Sequence, residues 1–275
     1  MSAVADTKKH SKYALIIEGK WTAIGQIGAA AGTFVGIKLL TTLLDSYSYG
    51  QLALAMTGFA LAQQIIISPI CSMIERYFPE IELDSADDLL RFIKTIHSAV
   101  SLILLISIAG YLLFISSSTG VVNFTIIALA FILSSTTVFM ISSALTSQRQ
   151  RKQVAIVQIS SEWLRFAFAA LFAYAFLGSP LWALFGFFVG TLFVSHLALR
   201  QVGTTLFTAQ DSNSKTRPMK SVLKDSLRYG FPFSLWGIFT WVHYASDRWA
   251  LALFGELSEV GRYAALCQLG YYPQM

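Results

Sequence analysis

Runs of mostly apolar residues recur along this chain at about the length a bilayer core demands, roughly 20 helical residues each. No other feature narrows the fold as far. Hydrocarbon offers the backbone no partner, so a lone segment of this kind crosses as an α-helix with its hydrogen bonds closed internally. The pattern predicts spans at 21–43, 50–74, 96–116, 122–145, 156–177, 181–199 and 231–254, with an eighth run opening near Val260. The chain stops at Met275, before that run is long enough to cross, so the sequence reads as truncated. Composition agrees, since 275 residues of which 55% are hydrophobic and 13% charged are too apolar to fold around one water-soluble core. The expected fold class is all-α, a polytopic helical membrane protein.

Charge placement orients it. Lys8, Lys9, Lys12 and Lys20 precede the first span, and Arg76, Arg91 and Lys94 follow the second. Arg149, Arg151 and Lys152 follow the fourth, while Arg200, Lys215, Arg217, Lys220, Lys224 and Arg228 follow the sixth. The intervening loops, DSYSYG, SSSTG, GSP and GELSE, hold neither Lys nor Arg, which puts the basic side and the N-terminus in the cytoplasm. The apolar stretch Tyr13–Ile17 is too short for a signal-peptide core, so that terminus is retained. A net charge of +5 dispersed in this way makes no stripe for nucleic acid. Cys71 and Cys267 are too far apart for metal or redox spacing, and no cofactor or metal is expected. The acidic and basic residues of 75–94 read as a solvated loop with a short amphipathic helix.

The chain also repeats itself. Around the first outer turn, Lys38 is followed by an apolar stretch, Asp45 and then Tyr49-Gly50-Gln51-Leu52-Ala53. Around the last, Arg248 is followed by an apolar stretch, Glu256 and then Val260-Gly261-Arg262-Tyr263-Ala264, with the glycines offset by 211 residues. Repeated helix sets are how many transporters are built. The expected organisation is a cytoplasmic tail at 1–20, a six-helix lobe at 21–199, a cytoplasmic linker at 200–230 and the start of a second lobe at 231–275.

Tyr229-Gly230-Phe231-Pro232, then Ser246-Asp247-Arg248, then Val260-Gly261-Arg262-Tyr263 resembles the opening of the second lobe in polysaccharide and O-antigen flippases. These belong to the multidrug, oligosaccharidyl-lipid and polysaccharide exporter superfamily. Asp45 to Gly50 is similar to the family's first outer turn, Arg76-Tyr77-Phe78-Pro79-Glu80 to its end of helix two, and Gln148-Arg149 to its loop after helix four. The resemblance runs from about residue 18 to the end. It implies twelve to fourteen helices in a complete member, no enzymatic activity, and translocation of a polyprenyl-diphosphate-linked oligosaccharide, such as an O-antigen or exopolysaccharide repeat unit. The outer leaflet of a bacterial inner membrane would receive that unit. The implied partners are that lipid-linked oligosaccharide, membrane lipids and the polysaccharide polymerase machinery.

Charged side chains at membrane depth cost several kcal/mol unless paired or facing water, which makes each a candidate site. Lys38 either lines a cavity or snorkels to the outer interface. Arg165 stands one turn from Glu162, a spacing that serves a structural ion pair as well as a ligand contact. Asp247 and Arg248 are neighbours about 100° apart on their helix, so at least one pairs across helices. As a functional set, Lys38, Arg165 and Arg248 converging between two lobes would neutralise a pyrophosphate, and the resemblance implies the same. His243 stands four residues before Asp247, as a proton relay or a packing residue, with His97 and His196 near span ends. Gly28, Gly32 and Gly36, like Gly186 and Gly190, repeat every four residues and let helices approach closely. Pro69 should kink the second span. Tryptophans at 163, 182, 236, 241 and 249, with Tyr47 and Tyr49, read as interfacial anchors.

Competing functions leave fewer traces. No G-x-x-x-x-G-K-[ST] loop points to nucleotide-driven transport, and the longest loop lacks a catalytic constellation. A drug or cation exporter of the same superfamily would favour acidic over cationic cavity residues. A truncated, non-transporting membrane interaction protein is the other alternative.

Overall fold

The computed structural model describes residues 2–78, 119–205 and 219–271, together with positions 95, 98 and 102. Apart from positions 98 and 102, the span expected at 96–116, with His97, lies outside the described residues, as do the stretches 79–94 and 206–218. Every element is helical: α1 (Ser2–Leu43), α2 (Ser46–Ala62), α3 (Ser68–Tyr77), α4 (Thr119–Ser147), α5 (Arg151–Ala175), α6 (Pro180–Thr205), α7 (Met219–Phe254) and α8 (Leu257–Tyr271). Helix α1 extends through the stretch expected as a tail, and α7 begins well inside the expected linker.

Among the described residues, five stretches are long and apolar enough to cross a membrane: Ile16–Leu43, Ser46–Tyr77, Val122–Ser147, Arg151–Ala175 and Pro180–Arg200. The protein is therefore an all-α, multi-pass membrane protein. Helix α7 has the length but is not among the five. Thr240, His243, Ser246, Asp247 and Arg248 dilute its apolar stretch.

Local chemistry sets the helix ends. The Asp45 carboxylate caps α2 by accepting the Ser48 N–H at 3.0 Å. The Ser48 side chain and backbone hold that carboxyl below its ordinary range, so the cap stays ionised above the usual Asp pKa and is lost only as pH falls further. Helix α5 ends in left-handed residues Leu177 and Gly178, with the Gly178 N–H donating to the Ala173 carbonyl at 2.8 Å. A Cβ on Gly178 would lie 2.9 Å from the Leu43 carbonyl oxygen, which places the ends of α1 and α5 on one side.

Pro69 does not interrupt the second span. A π-helical turn, Gln63–Ile67, carries α2 into α3, with the Ser68 N–H reaching back to the Gln63 carbonyl. The wider turn sets Pro69 in the first turn of α3, where a missing N–H costs least.

Helix α5 is the centre of the bundle that α1–α6 form, called here the first lobe. Lipid is as apolar as leucine, so helices associate through close packing and hydrogen bonds more than through burial from water. Cβ atoms on Gly28, Gly32 and Gly36 would run into Ile159, Trp163 and Phe166, a rising register that makes α1 and α5 parallel. Gly186 and Gly190 of α6 abut the backbone at Phe168–Ala169 and Leu164–Arg165, a falling register that makes α5 and α6 antiparallel. Both directions are those of spans that cross alternately in chain order. Helix α4 closes the other side of α6, burying Phe131, Met140, Ile141 and Leu145. Its buried Ser134 and Thr136 hydroxyls bond their own helix, Thr136 to the Ile132 carbonyl at 2.8 Å, so they add no unpaired polar group.

Helices α7 and α8 join this lobe through the second span. Gly237 packs on the Gln64 carbonyl and Gly230 on Met73. The Trp241 indole donates to the Thr57 carbonyl at 2.8 Å and that of Trp249 to the Thr57 hydroxyl at 3.1 Å. The opposite face of α7, with Trp236 and Phe239 each 72% exposed, is apolar enough to meet lipid or further helices. Gly58, like Gly19, differs from the seam glycines, since a Cβ there meets open space. Gly58→Ala is expected to stabilise the protein by roughly 0.5–1 kcal/mol, read as a raised unfolding midpoint in detergent micelles.

Candidate functional site

A cavity of about 390 Å³ lies inside the first lobe, walled by the π turn and α3 on one side and by α4, α5 and α6 on the others. Its lining is unusually polar for membrane depth. Gln63, Ser68, Ser135, Ser142, Ser143, Thr146, Gln158, Ser161 and Thr191 bring hydroxyls and amides, while Glu75, Glu162 and Arg165 bring charge. Groups of this kind away from lipid need water or ligand to complete their bonds.

Arg165 and Glu162, paired in the sequence by helical spacing, meet here. The Arg165 Nη2 binds Glu162 Oε2, and both side chains are mostly buried, 17% and 22% exposed. Glu162 Oε2 also lies 2.9 Å from the Thr33 hydroxyl, which divides its proton between that oxygen and the Ala29 carbonyl at 3.1 Å. One carboxylate thus ties α1 to α5 and compensates the cation. The guanidinium lies over Phe166 and Phe187, 5.0 and 5.7 Å from the ring centres. Its Nε is buried and finds no acceptor among the described residues. Toward the basic end of the spans, exposed Glu75 accepts the Ser143 hydroxyl at 3.1 Å, with Cys71 beside it. Two carboxylates against one guanidinium leave the lining net acidic.

The three cations do not share one site among the described contacts. Lys38 is exposed on α1, two residues past Gly36 and so on the side away from α5. Arg248 is half-buried on α7, close enough to Tyr49 of α2 for its charge to act there, and its Nε also finds no acceptor. Asp247 accepts the Tyr263 hydroxyl at 2.6 Å, a contact between α7 and α8. His243 instead lies exposed against Tyr244, with ring centres 5.1 Å apart, so the His243–Asp247 relay has no bond in this conformation. Trp163 is partly exposed, and its indole donates to the Gly28 carbonyl at 3.0 Å. His196 is exposed near the end of α6.

Sequence reasoning missed most of the cavity wall. Ser135, Ser142, Ser143 and Thr146 lie on one face of α4 at i, i+7, i+8 and i+11, a polar stripe legible in the sequence. The Glu75–Ser143 contact had no such signal, because it joins residues 68 apart.

A family model described as polysaccharide biosynthesis protein matches residues 18–275. No curated protein matches the chain. Among solved structures, a MOP superfamily transporter from Pyrococcus furiosus, reported for the reversed polarity of its binding pocket, superposes with a TM-score of 0.53 at 14% identity. The match covers 95% of this chain and 64% of that one, so this chain spans less than two thirds of the transporter's length. At that identity the likeness is one of fold.

Proposed function

The chain belongs to the polysaccharide biosynthesis protein family, and from that membership we propose that it serves as a membrane transporter for a polyprenyl-diphosphate-linked oligosaccharide. The cargo is an O-antigen or exopolysaccharide repeat unit. It moves from the cytoplasmic to the outer leaflet of a bacterial inner membrane, with the protein's N-terminus in the cytoplasm. Two lobes alternate access to it: residues 21–199 form the first, and 231–275 open the second.

The observation that carries this reading is Arg248. Its guanidinium lies where α7 meets the first lobe, and its buried Nε has no acceptor among the described residues. A desolvated donor of that kind supplies a charge-assisted bond to an anionic oxygen that arrives and leaves. With the cytoplasm negative, an outward-moving anion gains roughly 2.3 kcal/mol per charge per 100 mV, which favours the direction. Arg165, compensated by Glu162, serves the lobe's own structure first.

Export of a cationic compound is the second reading, favoured by the net acidic lining of the cavity within the first lobe. The Pyrococcus furiosus transporter is reported for a pocket polarity that suggests a different function, so pocket charge is the property to vary. Arg248→Ala is expected to cut delivery of lipid-linked sugar to the outer leaflet at least tenfold at normal membrane abundance. Arg165→Ala is expected to act mainly through abundance. Undiminished delivery in Arg248→Ala would remove the anionic-cargo argument and favour the cationic one.

A further inference from the structure

Among the glycine seams of the described residues, the closest backbone approach lies outside the cavity, where α2 meets α8. A Cβ on Gly50 would lie 2.0 Å from the Leu257 carbonyl oxygen, and a Cβ on Gly261 would lie 2.0 Å from that of Ser46. Ser46 and Leu257 differ by 211 residues, as do Gly50 and Gly261, and as do the buried Ala53 and Ala264. Each glycine therefore abuts the residue one turn before the other, the reciprocal pattern that a two-fold axis makes. Because Cα–Cβ bonds tilt toward a helix N-terminus, this is the contact two helices running side by side in one direction would make.

One polar tie crosses the same junction. The buried Tyr49 hydroxyl donates to Gln268 Oε1 at 3.0 Å. Arg248 of α7 lies within electrostatic reach of Tyr49, so the cation assigned above to cargo stands on the same side of α7 as this tie. The turns before the two glycines, at Asp45 and at Gly255–Glu256, belong to the side of the molecule whose loops lack Lys and Arg. With no side chain between them, the two backbones have no cushion that could stretch. The contact is either made or broken.

We propose that Gly50 and Gly261, with the Tyr49–Gln268 bond as latch, form the outer gate, closed in this structure, and that the lobes part here to release cargo outward. This deepens the reading under Proposed function and rests on it for the direction of travel. The test starts from a background in which Cys71 and Cys267 are serine. Tyr49→Cys with Gln268→Cys, bridged by a short bis-methanethiosulfonate reagent, is expected to lose at least tenfold in delivery of lipid-linked sugar against the unbridged pair, and to regain it on reduction. Separately, Gly50→Ala and Gly261→Ala are expected to raise labelling of Leu257→Cys by an impermeant maleimide added outside several-fold. Gly58→Ala is the control for that labelling, since its methyl meets open space.

Undiminished delivery by the bridged protein would overturn the gate. So would labelling that neither glycine substitution raises. The labelling needs no cargo, so a rise in labelling with no sugar delivered by any variant would leave the gate standing and count against the cargo alone.

Discussion

Glu162→Ala is expected to lower the unfolding free energy in mixed micelles by about 3 kcal/mol, and Glu162→Ala combined with Arg165→Met to recover most of that loss. The asymmetry comes from what each variant leaves behind. Removing the carboxylate strands a guanidinium that is 17% exposed, lies over Phe166 and Phe187, and has no acceptor at Nε. Removing both charges leaves no buried ion, and a methionine at 165 keeps the contact with Phe166 and Phe187. The figure belongs at the low end for buried pairs because both side chains line the cavity and keep 17% and 22% of their surface exposed. Thr33 also loses its Glu162 partner but keeps the Ala29 carbonyl, so its share is small. Equal losses in the single and double variants, read from the midpoint of a sodium dodecyl sulfate titration, would show that the pair does not hold the lobe.

Some of this was legible from spacing alone. Glu162 and Arg165 meet because residues three apart on a helix share a face, whatever surrounds them. Gly28, Gly32 and Gly36 likewise mark a seam before any partner is known, because four-residue spacing lines small residues along one side. What spacing does not carry is the identity of the opposing helix. The sequence therefore grouped Lys38, Arg165 and Arg248 by charge, although the fold sets Lys38 on an exposed face, Arg165 inside the first lobe and Arg248 at the junction with α7. Pro69 teaches a similar lesson. Proline chemistry requires a local departure from α-helical bonding, but it does not say which, and here the departure is the π turn Gln63–Ile67 that precedes Pro69. Helix limits were weakest where polar residues continue a helix past the bilayer, as at the start of α7, since a hydropathy window ends with the apolar run and a hydrogen-bond ladder does not.

Gly186→Ala is expected to cost about 3 kcal/mol and Gly28→Ala no more than about 1 kcal/mol, although both glycines sit on helix seams. The difference lies in what the new methyl meets. At Gly28 it would lie 2.8 Å from both Cδ1 and Cγ1 of Ile159, side-chain atoms that a rotamer change can move, and meets no backbone. A gain in helix propensity of roughly 0.5–1 kcal/mol offsets part of that adjustment. At Gly186 it would lie 2.4 Å from the Phe168 carbonyl oxygen and 2.5 Å from the Ala169 Cα, and backbone moves only if the whole helix moves. Separating α5 from α6 then loosens Ala169, Ala173, Ala183 and Leu184 together, all of them essentially inaccessible to solvent. Lipid fills the gap without restoring the contacts, so the loss is one of packing along the seam. A Cβ on Gly190, one turn on, would lie 2.7 Å from the Leu164 carbonyl oxygen and 2.8 Å from the Arg165 Cα, so Gly190→Ala should disturb the ion pair as well as the seam. Comparable midpoints for Gly186→Ala and Gly28→Ala in the same titration would mean that α5 and α6 can slide apart cheaply, and the first lobe would then be a looser bundle than its glycine contacts describe.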